Sequence, residues 1–242
     1  MTIDIKDLHK QFGKNQVLKG VDLTIDKGRI YAILGPNGSG KTTLIKSILG
    51  MVLPDKGHIT VLDKPIKKQW KYRKQIDYLP QIANFPPNIK VKELIHMIKD
   101  LRNSPSAEKE LIDLFGLGPF LDKKLSTLSG GTKQKVNIVL TFMFDSPLLI
   151  LDEPTTGLDP MALIRLKELI LKEKSNGKTI LITSHIMQFV EEMSDQIVYL
   201  LEGDIYFKGT IPELKKQTGQ TSFEHAIATL TTSENHAENT EI

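Results

Sequence analysis

The sequence predicts an α/β fold: a mostly parallel core sheet covered by helices, with an antiparallel β subdomain and an inserted α-helical subdomain. Three observations predict it. Helical patterns at 131–144, 160–174 and 186–193 alternate with short apolar runs at 148–151, 178–183 and 195–201, and such alternation builds parallel sheets. Early in the chain, strand patterns surround a single strand–turn–helix unit. Between about 82 and 127 the pattern turns helical behind the breaker Asn84-Phe85-Pro86-Pro87-Asn88.

In chain order, Thr2 to Leu8 alternates loosely through Ile3, Ile5 and Leu8, as a half-buried strand does. Val21 to Ile25 alternates cleanly, and Asp26-Lys27-Gly28 turns the chain into the apolar run Arg29–Leu34. Nine residues follow: Gly35, Pro36, Asn37, Gly38, Ser39, Gly40, Lys41, Thr42 and Thr43. They meet the pattern Gly-x-x-x-x-Gly-Lys-Ser/Thr, after a strand and before the helical spacing of Thr42 to Leu49. That context makes a P-loop. Glycines let backbone approach phosphate oxygens, and a helix start offers unpaired N–H groups at the positive end of its dipole. Lys41 suits the β- and γ-phosphates of a nucleoside triphosphate, and the Thr42 hydroxyl suits Mg²⁺.

Ile59 to Leu62 is a short strand, and Ile76 to Leu79 is apolar and leads to Pro80-Gln81. In the insert, Val91, Leu94, Ile95, Ile98 and Leu101 share one helical face, and Leu111 to Phe115 forms a second helix closed by Gly116 and Gly118. Gly203 divides Ile197–Leu201 from Ile205–Phe207 as a hairpin turn does. Residues 2–230 thus read as one domain, and the polar, acidic stretch 231–242 as a disordered tail.

Composition narrows the class. The chain has 242 residues, 40% hydrophobic and 25% charged, as soluble globular proteins do. Its longest apolar stretch, Val136 to Phe144, falls well short of the eighteen or so residues that span a bilayer. With zero cysteines, disulfides and thiolate metal sites are excluded. Met1 to Lys10 lacks a signal-peptide layout, so the expected location is cytoplasmic. A net charge of +3 gives no reason to expect nucleic acid. The charge is uneven, however: Lys64, Lys67, Lys68, Lys71, Arg73 and Lys74 surround Trp70 and Tyr72 without an acid among them. A solvated helix face explains such a run, and so does contact with anionic lipid or a partner protein.

Two more stretches carry chemistry. Leu148-Leu149-Ile150-Leu151 ends in Asp152-Glu153, delivering two carboxylates to the C-terminal end of a buried strand, where doubly wound sheets place ligands. Asp152 there suits Mg²⁺, and Glu153 suits polarisation of a water. Leu128-Ser129-Gly130-Gly131-Thr132-Lys133-Gln134 again places glycines before a helix. It is either a serine N-cap or a second anion site, one that would serve a neighbouring molecule.

Together these stretches resemble the nucleotide-binding subunit of an ABC transporter, from about residue 2 to 230. Gly35–Thr43 resembles its Walker A loop, Leu128–Gln134 its signature and Leu148–Glu153 its Walker B strand. Gln81 resembles the Q-loop ligand of Mg²⁺, Gly157-Leu158-Asp159 the D-loop, and His185 the switch histidine that contacts the γ-phosphate. Phe12 stands where the family more often stacks a tyrosine on adenine. Thr132 replaces a frequent Gln, and Lys135 a usual Arg. Gly209–Leu214 and Thr221–Ala228 resemble the ending of ATPases from the ABC-2-type exporter branch.

The resemblance implies an ATPase with ATP and Mg²⁺ as ligands, peripheral on the cytoplasmic face of the inner membrane and partnered by integral permease subunits. It implies a head-to-tail homodimer or ABC heterodimer, in which each ATP lies between one P-loop and Ser129, Gly130 and Gly131 of the other chain. A soluble ABC ATPase acting on ribosomes or DNA is the alternative. Such proteins usually carry two cassettes, a long coiled coil or cysteine-rich zinc modules, none of which is present in this sequence.

Overall fold

The computed structural model describes residues 1–82 and 84–237, the side chains of 232–237 excepted. It begins with β1 (Ile3–Phe12), β2 (Asn15–Ile25), β3 (Ile30–Leu34) and α1 (Lys41–Ile48). Then come β4 (Lys56–Val61), β5 (Lys64–Pro65), β6 (Ile76–Leu79), α2 (Val91–Arg102), α3 (Glu108–Leu114) and α4 (Gly130–Phe142). β7 (Leu148–Asp152), α5 (Pro160–Ser175), β8 (Thr179–Thr183), α6 (Met187–Met193) and β9 (Gln196–Leu201) alternate after it. β10 (Asp204–Gly209), α7 (Ile211–Thr218) and α8 (Phe223–Ala237) close the chain. Two compact units result, one of Met1–Tyr72 with the chain from Leu181 onward, the other of Arg73–Ile180.

In the first unit β1 pairs antiparallel with β2 and β4, and β5 pairs with β4, in the order β2-β1-β4-β5. β1 and β2 outrun the alternation visible in the sequence. Their shared end, with Phe12 opposite Asn15, is a hairpin of exposed residues that needs no buried face. β3 runs parallel to β9, which pairs antiparallel with β10. Glu202 (φ +47°) and Gly203 (φ +87°) form the expected turn, both in the left-handed region that tight hairpins use. Ala32 and Leu34 of β3 and Ile197 and Tyr199 of β9 share one apolar core with Val190, Leu214, Phe223, Ala226 and Leu230.

Two expectations are corrected in this unit. The tail expected to be disordered from residue 231 is helical to Ala237. Phe223 and Ala226 anchor the first turn of α8 in the core, and lengthening a nucleated helix gains one hydrogen bond per residue fixed. The remainder of that tail, 238–242, lies outside the described residues. The basic run is no helix face: it passes from β5 through an irregular turn into a 3₁₀ turn, Lys71–Gln75. Tyr72 is buried there and donates its hydroxyl to Ile48 O at 3.0 Å.

In the second unit β6 runs parallel to β7, with Tyr78 opposite Ile150. The expected insert lies within this unit as α2, α3 and short 3₁₀ turns. α2 buries Val91, Leu94 and Ile95, but Leu101 is 74% exposed and does not belong to that face. Arg102 holds the last turn instead. Its guanidinium donates to Lys74 O at 3.0 Å, pairs with Asp77 at 2.7 Å and lies 4.8 Å from the centre of the Phe144 ring. Leu101, a hundred degrees round the helix, is left to solvent.

The Asp77 carboxylate is almost wholly buried; burial pushes its pKa above the usual carboxylate value, and Arg102 pulls it back down. Arg102→Ala removes the ion-pair partner of this buried carboxylate, leaving it the Ser146 hydroxyl and the Lys178 charge, and should cost about 3–5 kcal/mol. Urea unfolding of the variant measures this, and a loss below about 1 kcal/mol would place the pair among weak surface bridges.

Candidate nucleotide site

Every residue of β3 is buried, and the Ile30 N–H at its start donates to Asp195 Oδ2 at 2.8 Å. The strand aims the chain into Gly35–Gly40, whose glycines take φ of +148°, +85° and +107° at positions 35, 38 and 40. A Cβ on Gly35 would stand 2.0 Å from Leu200 O, so no side chain fits there. α1 then starts at Lys41, with Gly40 as its N-cap and no acid in its first turn. The positive end of that helix is left for an external anion.

Lys41 donates from Nζ to Gly35 O at 2.8 Å and Pro36 O at 2.9 Å, spanning its own loop. Ser39 is buried, and its hydroxyl has no hydrogen-bond partner among the described residues. Pro36, Asn37, Gly38 and Thr42 are exposed, and Thr43 is half-buried. A cavity of 230 Å³ is lined by Gly38, Asn15, Gln16, Val17, Lys19 and Glu202. It brings the β1–β2 hairpin to the P-loop. Phe12, on that hairpin, is 50% exposed with the Lys10 ammonium 5.1 Å from its ring centre, so it is a surface aromatic and no core residue. His185 is exposed, just beyond the end of β8.

The second unit gathers the other motifs. β7 is buried throughout and ends at Asp152; Glu153 follows at φ +49°, only 8% exposed. The Tyr78 hydroxyl reaches Asp152 Oδ2 at 3.5 Å, and its pKa is pushed up to about 12 by burial and by that carboxylate. Gln81 is exposed, and Asn137 Nδ2 of α4 donates to Pro80 O beside it at 3.1 Å.

Ser129 caps α4. Its Oγ accepts the Thr132 N–H at 3.3 Å and shares a hydrogen bond with the Thr132 hydroxyl at 2.9 Å. The first turn of α4 also lacks an acid, Ser129 and Gly130 are exposed, and nothing lies within 4 Å of a Cβ built on Gly130. Gln134 Nε2 donates to Pro154 O at 3.1 Å, and Lys135 pairs with Asp159 Oδ2 at 2.6 Å. Asp159 also caps α5 through the Ala162 N–H at 2.9 Å. The Lys135 hydrogen bond, then that backbone N–H, hold its carboxyl below the usual range. Glycine rich turn, strand end and D-loop stretch thus form one bonded cluster. Sequence reasoning named Gln134 only as the end of the glycine-rich stretch, and gave no role to Tyr78 or Asn137. Amides at 134 and 137, spaced about one helical turn apart on α4, were the available signal.

Residues 18–156 match the family model described as ABC transporter. The chain belongs to the ABC transporter ATP-binding family. It is 35% identical over 230 residues to the L-cystine import ATP-binding protein TcyN of Bacillus subtilis, covering 89% of this chain and 88% of that one. It is 34% identical over 207 residues to the Nod factor export ATP-binding protein I of Burkholderia lata, covering 83% and 68%. A solved structure described as the ATP-binding subunit of an ABC transporter superposes with TM-score 0.90 at 32% identity, over 96% of this chain and all of the other. The P-loop fold, the ATPase class and a motor role in transport follow from that membership.

The residues fit the ligands such an ATPase needs. The buried Ser39 hydroxyl and the glycine-only loop form a cradle for phosphate. Among the described residues no three of His, Cys, Asp and Glu converge as a metal cage. Mg²⁺ needs none, since one or two carboxylates and substrate phosphates hold it.

Gly131 tests the cluster. A Cβ there would stand 2.6 Å from Gly157 O, so something must shift. Gly131→Ala should lose about 1–3 kcal/mol of stability, as overpacking does, and should displace the amide resonances of both Ser129 and Asp159. Unchanged resonances at Asp159 would show that the two turns are not coupled.

Proposed function

We propose that this chain hydrolyses Mg-ATP in a head-to-tail pair of cassettes and drives a separate membrane permease. One observation carries the reading. α4 is a second acid-free, glycine-led helix start, open to solvent, and a single chain has one triphosphate to bind. In a pair, Ser129, Gly130 and Gly131 of each copy face the γ-phosphate held by the other, a closed two-fold arrangement.

Within that pair the loop amides, Ser39 and Lys41 hold the phosphates, and Phe12 stacks on adenine. Thr42, Gln81 and Asp152 supply hard oxygens for Mg²⁺, whose charge would neutralise the phosphate oxygens. Glu153 takes the proton of the attacking water, and His185 donates to the γ-phosphate. Asp159, fixed by Lys135, sets the D-loop against the partner cassette. The C-terminal helices α7 and α8 carry the stretches that favour an exporter. Partnership with a permease would hold the chain at the cytoplasmic face of the membrane; no helix among the described residues is long and apolar enough to cross one.

Glu153→Gln keeps shape and loses the base, so turnover should fall by about 10²–10⁴-fold while ATP still binds. Phosphate release and equilibrium dialysis read the two separately. Full turnover by the variant removes Glu153 from the base role.

Phe12→Ala should weaken ATP and GTP alike by about 1–3 kcal/mol, because stacking needs only a π-face. Unaltered affinity for both nucleotides would leave Phe12 without a part in binding.

The helical stretch 82–127 exposes Ile82, Met97 and Leu101, apolar groups suited to a permease loop. Leu101→Asp should uncouple transport in reconstituted vesicles while the isolated cassette keeps its ATPase rate. Crosslinks from the permease that map outside this stretch would contradict the docking assignment.

A further inference from the structure

The basic segment of the first unit contains none of the residues assigned above to the nucleotide. β5 is an edge of the four-stranded sheet, so Lys64 and Pro65 have a local purpose: both residue types discourage an edge strand from pairing with another sheet. That purpose ends at Pro65. Beyond it Lys67, Lys68 and Lys71 are exposed, and Trp70 is 60% exposed between them. None of Lys64, Lys67, Lys68 and Lys71 has a carboxylate within 4 Å among the described residues. Elsewhere in the same unit Lys10 pairs with Asp55, Lys19 with Glu202, Lys56 with Asp7 and Lys215 with Glu191. Other lysines of the unit, such as Lys14 and Lys27, also lack an acid among the described residues, but only around Trp70 do four such lysines fall within eight residues of an exposed tryptophan. The buried Tyr72 anchors the backbone that displays them.

We propose that this lysine-flanked tryptophan is a contact for an anionic lipid surface. Lysines are depleted at protein–protein interfaces, where arginine and aromatic residues are favoured, and of the six positive charges in the run five are lysine, with Arg73 the exception. Compact ammonium groups on flexible stems suit a layer of mobile phosphates better than a fixed carboxylate fork. An indole ring is at home at the membrane–water boundary, with its body in the acyl edge and its N–H wet. The proposal deepens the motor reading, from which it takes only the nearness of a bilayer.

Trp70 is the single tryptophan of the chain, so tryptophan emission reads this site alone. The whole protein is titrated with vesicles of phosphatidylglycerol and phosphatidylcholine in equal parts, and with phosphatidylcholine alone. Emission should move to shorter wavelength on the anionic vesicles only, and the shift should reverse as salt is raised. A triple variant, Lys67→Glu, Lys68→Glu and Lys71→Glu, keeps the fluorophore and should keep basal ATPase activity. It should lose at least about 100-fold in vesicle partitioning, since each lysine removed costs about fivefold and each glutamate added is repelled by the anionic surface. Emission unmoved by anionic vesicles, or moved equally by neutral ones, overturns the proposal. So does a shift produced by purified permease or by a polynucleotide but not by vesicles. Hydrolysis measured on the same sample separates the two readings: activity without vesicle binding sinks the lipid contact and leaves the motor standing.

Discussion

A helix start reached over glycines, and free of carboxylates in its first turn, concentrates unpaired N–H groups and about half a positive charge in one place. The rest of the molecule depends on keeping that place fixed and clear. β3 does so for α1 by being buried along its whole length and by packing so closely on β9 that Gly35 faces Leu200 O with no room for a Cβ. Lys41, tied to two carbonyls of the loop, supplies a charge that does not wander. A loose loop would have to be ordered by the nucleotide, and that entropy would be subtracted from binding.

The same device appears at α4, supported differently. Ser129 caps the helix, Gly131 lies against Gly157, and Lys135 reaches Asp159. The glycine-rich turn cannot shift without the D-loop stretch and the end of β7 feeling it, because Gln134 holds Pro154 O. Lys135 in place of the family's usual arginine keeps this tie with one ion pair. Thr132 in place of glutamine sets a hydroxyl against Ser129 while its N–H still donates to Ser129 Oγ, so the departures from the family pattern leave the cap intact. In the paired reading, this mechanical link lets occupancy at one chain's turn be felt at the catalytic strand of the same chain.

Much of this was legible before any coordinates. The P-loop, the strand ending in Asp152-Glu153 and the alternation of elements are local patterns, and their physics acts within a few residues. The hairpin end carrying Phe12 was not legible as strand, because exposed residues such as Gln11 and Gln16 show no period. The exposure of Leu101 was hidden because Arg102, read as an ordinary last-turn cation, reaches back to Asp77, twenty-five residues earlier. Tyr78 beside Asp152 depended on the register of two parallel strands, which no single stretch encodes. Helix continuing to Ala237 was missed since composition was read without the anchor that Phe223 supplies. The family comparison raises the ATPase class from expectation to finding, and the individual roles at the site stay with the proposal.

The central claim is that each ATP site is built from two chains. Lys41→Ala disables a P-loop and Ser129→Arg blocks a glycine-rich turn, so either variant alone should form only defective sites. In an equimolar mixture, a mixed pair has one site carrying both defects and one carrying neither. The account predicts that the mixture hydrolyses ATP well above the sum of the separate variants, with the gain rising as the concentration of protein drives pairing. A mixture whose rate equals that sum at every concentration would contradict it.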